Sequence, residues 1–411
     1  MIKKFFKKRS LEDYITLISI FAVAFSSIIL DPSLLFNGTG FEFPKVEVIR
    51  LASLVIIFLG LILEYKKNIL GIVGKIVCTV VGIAMILSFI VSINPEVALF
   101  GNFFRHQGLL LYLPIALSLV FVYKTFQSKY FNLFLFGILF AAIANSFRAL
   151  LQFRDLISDP EKFSTGLYVN GFFGQTNFFS TLLLFGIIAS AYFLGRKIEI
   201  AFKLSHASII VLLTFGIFLS LSRWGVLTLA VVLVWLLLYE LKFTRLLKLT
   251  MIVFYIALLP AMVIGSLLFP GYEMHIDIWK KSIISFWEAP IQNKLFGFGF
   301  DNVNNVFQHY NLFPGLNVDR AHNFLLDIVL QLGLLAVAGI IVLFGFIIKA
   351  WNQIFEDRKN FFLFLMFTMF ILKTSVNEYS ISNLYMFLMI SVLMFKNVFS
   401  PKSVIGEKIE V

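Results

Sequence analysis

The sequence predicts an all-α integral membrane protein with about twelve transmembrane helices and a large, partly helical outer loop before the tenth helix. Apolar residues make up 60% of the 411 residues and charged residues only 14%, whereas soluble domains carry roughly 25% charged residues. A mean hydropathy of +0.93 excludes a disordered chain, because low hydrophobicity is what keeps such chains from collapsing. Apolar runs of spanning length recur along the whole sequence, which indicates a membrane protein.

Twelve apolar runs, separated by short polar breaks, predict the helices in chain order. A spanning helix needs about 20 mainly apolar residues. The first run exceeds the apolar region of a signal peptide and ends at Asp31-Pro32 without a small-residue cleavage site, so we interpret it as a helix. We interpret residues 1–411 as a single polytopic membrane domain. The runs cover residues 14–31, 47–64, 76–94, 108–123, 130–151, 177–195, 205–221, 223–240, 246–269, 322–350, 360–373 and 379–397.

The distribution of positive charges predicts how these helices are oriented. With the amino terminus in the cytoplasm, 22 of the 34 Lys and Arg residues fall on the cytoplasmic side and 12 on the outer side. By the positive-inside rule, this bias predicts an even number of spans with both termini in the cytoplasm. The net charge of +11 is then explained by topology, and nucleic acid is not expected as a partner.

Residues 270–321 break the pattern of short connections. This segment contains Trp279, Trp287 and two Gly-Phe repeats, which make it too aromatic for a disordered linker. Loops longer than about 15 residues are usually functional or disordered. We therefore expect a functional outer loop that lies over an active site.

Two ionisable residues at the outer membrane face are the leading candidates for chemistry, because a charge at membrane depth is costly. Arg223 lies between two apolar runs, where a tight outer turn would place it at or below the interface; a snorkelling arginine that ends a helix is an equally good interpretation. His322 opens the tenth run, where the outer loop re-enters the membrane. A histidine with a pKa near 6.5 can act as a general base, although a lone histidine is more often structural. The neighbouring Asn323 would cap the helix.

Further cations on the same side suit a ligand that carries phosphate. Arg105 opens the fourth run, and Lys280, Lys281 and Arg320 belong to the outer loop. Together they would form an outward cationic pocket for a diphosphate, whose oxygens favour Arg forks and Lys point charges. The alternative is that these are separate loop charges that never meet.

Two amides and several absences complete the site prediction. Gln175 and Asn177 lie in a glycine-flexible turn into the sixth run, where they would contact a sugar or merely cap the helix. The sequence has no Gly-rich phosphate loop followed by Lys-Ser or Lys-Thr, which argues against a nucleotide-driven pump. It has no outward Asp-x-Asp or His-x-x-x-His pair, and a single cysteine, Cys78, excludes a thiolate cluster. We therefore expect neither a metal nor a cofactor.

Several short motifs, taken in order along the chain, resemble the O-antigen ligase and polymerase superfamily. The layout of twelve spans with a large outer loop before the tenth is similar to that family. The likeness extends over nearly the whole chain, and the order of the motifs makes it specific. The motifs are Arg105-x-Gln107-Gly108 before the fourth run, Ser222-Arg223 at the eighth run, Gly297-Phe298-Gly299 in the outer loop, and Arg320-Ala321-His322-Asn323-x-x-Leu326-Asp327 followed by Gly333-Leu334-Leu335.

The resemblance implies a membrane glycosyltransferase of the C type in the bacterial inner (plasma) membrane. Such an enzyme transfers a glycan from undecaprenyl diphosphate on the outer leaflet to an acceptor hydroxyl, without metal. His322 would activate the acceptor hydroxyl, and Arg223 would clamp the donor diphosphate. The family commonly has an Arg four residues before a Trp or bulky apolar residue in the outer loop, where this sequence has His275 before Trp279. Lys280 or Lys281 would then replace that cation, or His275 would have to be protonated.

Three activities fit the sequence. The leading prediction is a ligase that joins the glycan to lipid A-core, and close behind it is a polymerase that extends the lipid-linked glycan. Both need the same donor site and differ in the acceptor. From another class, a lipid-linked sugar flippase or a solute transporter fits twelve spans and a cationic cavity. Transporters usually show inverted repeats with broken helices in matching positions, and the sequence shows no such pair.

Overall fold

The computed structural model is helical throughout the part of the chain that it describes. It describes residues 9–29, 42–159, 169–196, 199–254, 256, 273–314 and 318–399, and these ranges contain no β-strand. The predicted all-α class is confirmed. Asp31 and most of the ninth predicted run, residues 246–269, lie outside the described residues.

The helices in these ranges are numbered here in chain order. They are α1 (Leu11–Ser26), α2 (Phe43–Lys67), α3 (Gly71–Ile90), α4 (Pro95–Phe100), α5 (Leu109–Thr125), α6 (Phe131–Ser158), α7 (Thr176–Leu194), α8 (Ile200–Leu219), α9 (Arg223–Glu240), α10 (residues 244–254), α11 (Glu273–Glu288), α12 (Ile291–Phe296), α13 (Val303–His309), α14 (Phe324–Leu332), α15 (Leu334–Glu356), α16 (Arg358–Thr374) and α17 (Ile381–Phe399).

Eight of these helices are long and apolar enough to cross a membrane, so the chain is a multi-pass membrane protein. They are α2, α3, α6, α7, α8, α9, α15 and α17. Three other predicted runs correspond to the shorter helices α1, α5 and α16, which have 16 or 17 residues. The ninth predicted run begins in α10 and continues beyond the described residues. The total of twelve spans therefore remains a prediction.

Helix α7 lies at the centre of the bundle. In its most apolar stretch 83% of the residues are buried, against 17% in α3 and in α15. An apolar helix that is buried on all sides belongs to the core of a large protein, whereas the exposed apolar faces of α3 and α15 suit lipid. Helices α6, α8 and α16 pack against α7. The amino end of α7 is thus held in the middle of the bundle, surrounded by the ends of other helices.

The tenth predicted run, residues 322–350, is not one helix, and this prediction was wrong. Helix α14 ends at Leu332, α15 begins at Leu334, and Gly333 between them has a φ of +65°. A Cβ at Gly333 would lie 2.5 Å from the backbone nitrogen of Gly297. Glycine is required here both by the left-handed backbone and by the close approach of a second segment. The helix of membrane-spanning length therefore starts at Leu334.

The described residues of the outer loop fold into three helices that share an apolar core with α14. Helices α11, α12 and α13 enclose a cluster that includes Phe298, Val306 and Leu330. The backbone N–H of Phe298 donates to the carbonyl of Leu330 at 2.8 Å, and its carbonyl accepts from the N–H of Ile93 at 3.2 Å. The loop is therefore packed onto the ends of α3 and α14 by both apolar and backbone contacts.

We call the end of the bundle that carries α11 to α14 the loop end, and the opposite end the far end. At the loop end, Asn145 of α6 donates to the carbonyl of Ser27 after α1, at 2.8 Å. At the far end, Lys67 of α2 pairs with Glu12 of α1 at 2.6 Å. Helices α1 and α2 thus run in opposite directions, and contacts at both ends of the bundle join residues distant in sequence.

Candidate functional site

Arg320 is the centre of a buried polar network at the loop end. Its side chain is 1% exposed, and its Nη2 lies 2.8 Å from Asp301 Oδ1 and donates to Gln107 Oε1 at 2.8 Å. Asp301 Oδ2 accepts from the backbone N–H groups of Asn102 and Gln107 at 2.7 and 3.3 Å. The network thereby joins the outer loop to the segment that leads into α5.

Arg105 forms a second ion-pair cluster beside the first. Its Nε donates to Asp319 Oδ2 at 2.7 Å, and its Nη2 pairs with Glu378 in the connection between α16 and α17. Glu378 Oε1 accepts from Nε2 of Gln175, just before α7, at 2.7 Å. Asp319 is the chain neighbour of Arg320. Arg105, Gln175 and Arg320, which were predicted for the site from distant parts of the sequence, therefore lie in one connected region.

Arg105 and Arg320 meet at the loop end, but each is already paired with carboxylates. Arg320 contacts Asp301, while Arg105 contacts Asp319 and Glu378. Breaking a buried ion pair by removing one partner typically costs about 3–5 kcal/mol, because a buried charge is left uncompensated. We therefore interpret these two arginines as supports of the site, in contrast to the open cationic pocket expected from the sequence.

His322 lies at the edge of this region, in the turn before α14. Its φ of +51° is in the left-handed region, which residues other than glycine rarely adopt and which is frequent at functional sites. Asn323 holds the turn: its Oδ1 accepts from the N–H groups of Leu325 and Leu326 at 3.0 and 3.1 Å, and its Nδ2 donates to the carbonyl of Ser375 at 2.8 Å. Asn323 is thus a helix cap, and a sugar would have to compete with these bonds to contact its amide.

The His322 imidazole is neutral at neutral pH. Burial is the main reason that its pKa falls to about 4; His275, Arg105 and Arg320 lower the pKa further, and Asp319 opposes them. A neutral imidazole has one nitrogen that can accept a proton. The protonation state that a general base requires is therefore populated at pH 7.

His275 and the two loop lysines differ in their availability to a ligand. The His275 ring packs edge to face against His322, with the centroids 4.9 Å apart, and burial lowers the pKa of His275, so it carries no positive charge at neutral pH. Lys281 Nζ pairs with Asp277 at 2.8 Å and donates to the carbonyl of Leu312 at 2.6 Å. Lys280 is exposed on α11. Of the three alternatives for the loop cation, Lys280 alone combines a positive charge with an open side chain.

Arg223 is the first residue of α9 and has an exposed side chain. The helix begins here because Ser222 caps it: Ser222 Oγ accepts from the N–H of Gly225 at 3.1 Å. The predicted tight turn thus holds Arg223 at the positive end of a helix dipole. A surface cavity of about 540 Å³ opens beside it, lined by Thr176, Ser220, Leu221 and Arg223.

A third polar cluster adjoins this cavity through Ser222. Ser222 Oγ donates to Asn177 Oδ1 at 2.8 Å, and Asn177 Nδ2 donates to Asn377 Oδ1 at 2.8 Å. Lys373 Nζ donates to Ser222 Oγ at 3.1 Å and to Asn177 Oδ1 at 3.3 Å. Asn177 therefore ties the amino end of α7 to the amino end of α9 and the carboxyl end of α16.

Three polar residues of the site were missed by the sequence interpretation. Asp301 and Glu378 belong to no motif quoted above, and their importance comes from the arginines that they contact across the fold. Lys373 counts in the sequence only as one of the 12 outer cations. A signal for Lys373 was present, because a lysine at the end of an apolar run is costly and so is a functional candidate.

An apolar cavity of about 340 Å³ lies next to the Arg320 network. Tyr112 and Tyr379 belong to its wall, with their hydroxyl oxygens 3.4 Å apart, and Tyr112 also donates to Gln107 Oε1 at 3.0 Å. Most of the remaining wall is aliphatic and aromatic, from α3, α5, α14 and α17. Such a cavity suits an apolar chain better than a polar group.

The fold and the site define a multi-pass, all-α membrane protein with a polar site at one end. Within the described ranges, no group of three or more His, Cys, Asp or Glu side chains is arranged to hold a metal ion. No protein-family model matches the chain, and no curated protein matches it. The relation to the O-antigen ligase and polymerase superfamily therefore remains a prediction from the motifs.

Proposed function

We propose that the protein is a membrane glycosyltransferase that moves a glycan from undecaprenyl diphosphate to an acceptor hydroxyl, with lipid A-core as the leading acceptor. One observation carries the proposal. Arg320 donates to Gln107, 213 residues away in the sequence, and Arg105 donates to Asp319. These contacts join two of the motifs on which the resemblance rests, and His322 lies where they meet.

The proposed step uses His322 as the base. Its neutral imidazole accepts the proton of the acceptor hydroxyl while the acceptor oxygen bonds to the anomeric carbon of the donor. The bond between that carbon and the diphosphate oxygen breaks, and its electron pair leaves with the diphosphate. Arg223 stabilises the charge of the leaving group with its permanent charge and forked donors. Because the donor is already activated, alignment, a base and charge stabilisation are sufficient.

The proposal includes an orientation. The loop end would face the outer side of the bacterial inner membrane, where the lipid-linked glycan is presented, and both termini would lie in the cytoplasm. The excess of Lys and Arg assigned to the cytoplasmic side, 22 of 34, supports this orientation.

His322→Ala tests the catalytic assignment, with His309→Ala as the matched control. His309 is an exposed histidine at the end of α13, in the same outer loop. We expect His322→Ala to lower the rate of glycan transfer by about 10²–10⁴-fold, the usual contribution of a general base, and His309→Ala to stay near the wild-type rate. Undiminished transfer by folded His322→Ala protein would remove His322 from the mechanism.

Purified protein in detergent separates the competing activities. It is given a lipid-linked donor together with either lipid A-core or further lipid-linked repeat units. Ligation onto lipid A-core and growth of the lipid-linked chain are distinguished by product size, which separates ligase from polymerase. If neither acceptor yields product while the protein moves lipid-linked sugar across vesicle membranes, the protein is a flippase or transporter and the proposal is wrong.

A further inference from the structure

Lys373 is a buried cation in the last turn of α16, next to the turn that holds Arg223. Its side chain is 1% exposed. Its ammonium donates to Ser222 Oγ at 3.1 Å and to Asn177 Oδ1 at 3.3 Å. No carboxylate in the described part of the chain lies within 4.0 Å of it, so the partners that the structure records for this charge are neutral.

The other buried cations among the described residues of the loop end are compensated, including Lys45, which lies 3.8 Å from Glu42. Arg105 contacts two carboxylates, Asp319 and Glu378, and Arg320 contacts Asp301. Burying an ammonium without a counter-charge is costly, and proteins usually avoid it by pairing the charge. Lys373 thus departs from the pattern of its own neighbourhood, where Arg105 and Arg320 each have a carboxylate partner.

The position of Lys373 points to one cavity. Ser222, which accepts from the ammonium, lies between Ser220 and Arg223, and both of these line the cavity of about 540 Å³. Asn177, the other acceptor, is the chain neighbour of Thr176, a third lining residue. The 18-residue helix α9 begins at Arg223, and its amino end adds a partial positive charge. Arg223 therefore places one positive charge at the surface of the cavity. Lys373 is buried behind the lining, in contact with Ser222 and Asn177, and the amino end of α9 adds a partial positive charge.

We propose that Lys373 is the buried counter-charge for the diphosphate of a polyprenyl-diphosphate donor that binds in this cavity beside Arg223. The inference rests on the proposed function, which supplies the class of donor. Among the loop groups, His275 is uncharged at neutral pH and Lys281 is paired with Asp277, which leaves the exposed Lys280 as the loop's own candidate cation. Lys373 adds a positive charge to the donor site from α16, whatever the loop contributes.

Lys373 acts in this proposal as a positioning residue. Its ammonium orients Ser222, the cap of α9, and contributes an electrostatic field that acts through weakly screening protein. Its effect should therefore scale with the charge of the ligand. A lysine that merely ties α16 to α7 and α9 would affect charged and uncharged ligands alike.

The test compares binding of farnesyl diphosphate and of uncharged farnesol to the purified full-length protein in detergent. Lys373→Met removes the charge and the hydrogen bonds, and Lys373→Gln removes the charge but keeps a donor for Ser222 and Asn177. Lys294→Met is the control, because it removes a cation on α12 that has no part in the proposed site. We expect Met and Gln each to weaken farnesyl diphosphate binding about tenfold or more while farnesol binding changes less than about twofold. Lys294→Met should lose less affinity than either.

Each outcome has one interpretation. Equal losses for farnesyl diphosphate and farnesol, or full diphosphate affinity in Lys373→Gln, would show that Lys373 is only a structural tie and would overturn the inference. If the Met variant does not fold, the Gln variant decides. If the wild-type protein binds farnesol but shows no preference for the diphosphate, the donor site of the proposed function is wrong as well. If the wild type prefers the diphosphate and the Lys373 variants keep that preference, only the Lys373 assignment is wrong.

Discussion

His322 differs from an exposed histidine in its pKa, and this difference predicts a pH profile. Burial and nearby positive groups hold its pKa at about 4, whereas an unperturbed histidine titrates near 6.5. The proposed base is the neutral form, so activity should fall only as the pH drops through about 4 and should be level from about 5 to neutral pH. The measurement is kcat/KM of the purified enzyme against pH, which reports groups of the free enzyme. An acid limb near pH 6.5 would contradict the assignment.

The neighbouring His275 provides a second variant for the same measurement. His275→Phe keeps an aromatic ring beside His322 but removes a group that lowers the pKa of His322. The acid limb should therefore move to higher pH in this variant. The exposed His309 is the control, since its substitution should leave the limb in place.

Residue chemistry could be predicted from the sequence only in part. Ser222-Arg223 was expected at a tight turn and Asn323 at a helix cap, because both signals are local. The pairing of Arg105 with carboxylates was not expected, since its partners Asp319 and Glu378 lie 214 and 273 residues away in the sequence. Such long-range pairing depends on how whole segments pack together, and a short sequence motif does not specify that packing.

At the scale of elements, the crossing of Gly297 and Gly333 fixes the outer loop to the start of α15. Gly333→Ala would force a left-handed φ of +65° on alanine and place its Cβ 2.5 Å from the Gly297 nitrogen. We expect a loss of about 1–3 kcal/mol from the backbone conformation, and more from the contact. Thermal unfolding in detergent measures the loss, and limited proteolysis should show residues 273–314 cut earlier than in the wild type.

Gly339→Ala is the matched control for this variant. Gly339 lies within α15, and a Cβ added there meets no atom within 4 Å. In a helix interior alanine is favoured over glycine by up to about 1 kcal/mol, so this variant should be neutral or slightly more stable. Equal stability of the two variants would mean that the crossing does not hold the loop.

Hydropathy predicted the positions of most elements but not the break within the tenth. The predicted run 223–240 coincides with α9, because Ser222 marks its start and the apolar stretch its length. The run 322–350 was predicted as one span, because Gly333 is flanked by leucines and the sequence is apolar both before and after it. The helix ends there because the backbone at Gly297, 36 residues earlier, packs closely against Gly333, and hydropathy does not show this contact.

For the whole molecule, the contacts at the two ends of the bundle agree with the charge bias of the sequence. At the far end, Lys67 pairs with Glu12, Lys129 pairs with Asp13, and Lys396 donates to the carbonyl of Lys124. These cations all belong to the set assigned to the cytoplasm. At the loop end Arg105 and Arg320 also pair with carboxylates, so ion pairing does not distinguish the two ends. The proposed outward loop end therefore depends on the number of Lys and Arg residues on each side, 22 of 34 in the cytoplasmic set, because the positive-inside rule gives little weight to Asp and Glu.

Single-cysteine labelling tests this orientation, because Cys78 is the only cysteine in the sequence. In a Cys78→Ser background, Lys280→Cys places a thiol on the exposed side of α11 at the loop end, and Lys66→Cys places one at the exposed carboxyl end of α2 at the far end. A membrane-impermeant maleimide added to intact cells should modify Lys280→Cys and spare Lys66→Cys until the membrane is permeabilised. The reverse pattern would turn the loop end toward the cytoplasm, away from a donor glycan on the outer leaflet, and His322 would then be unable to serve the proposed transfer.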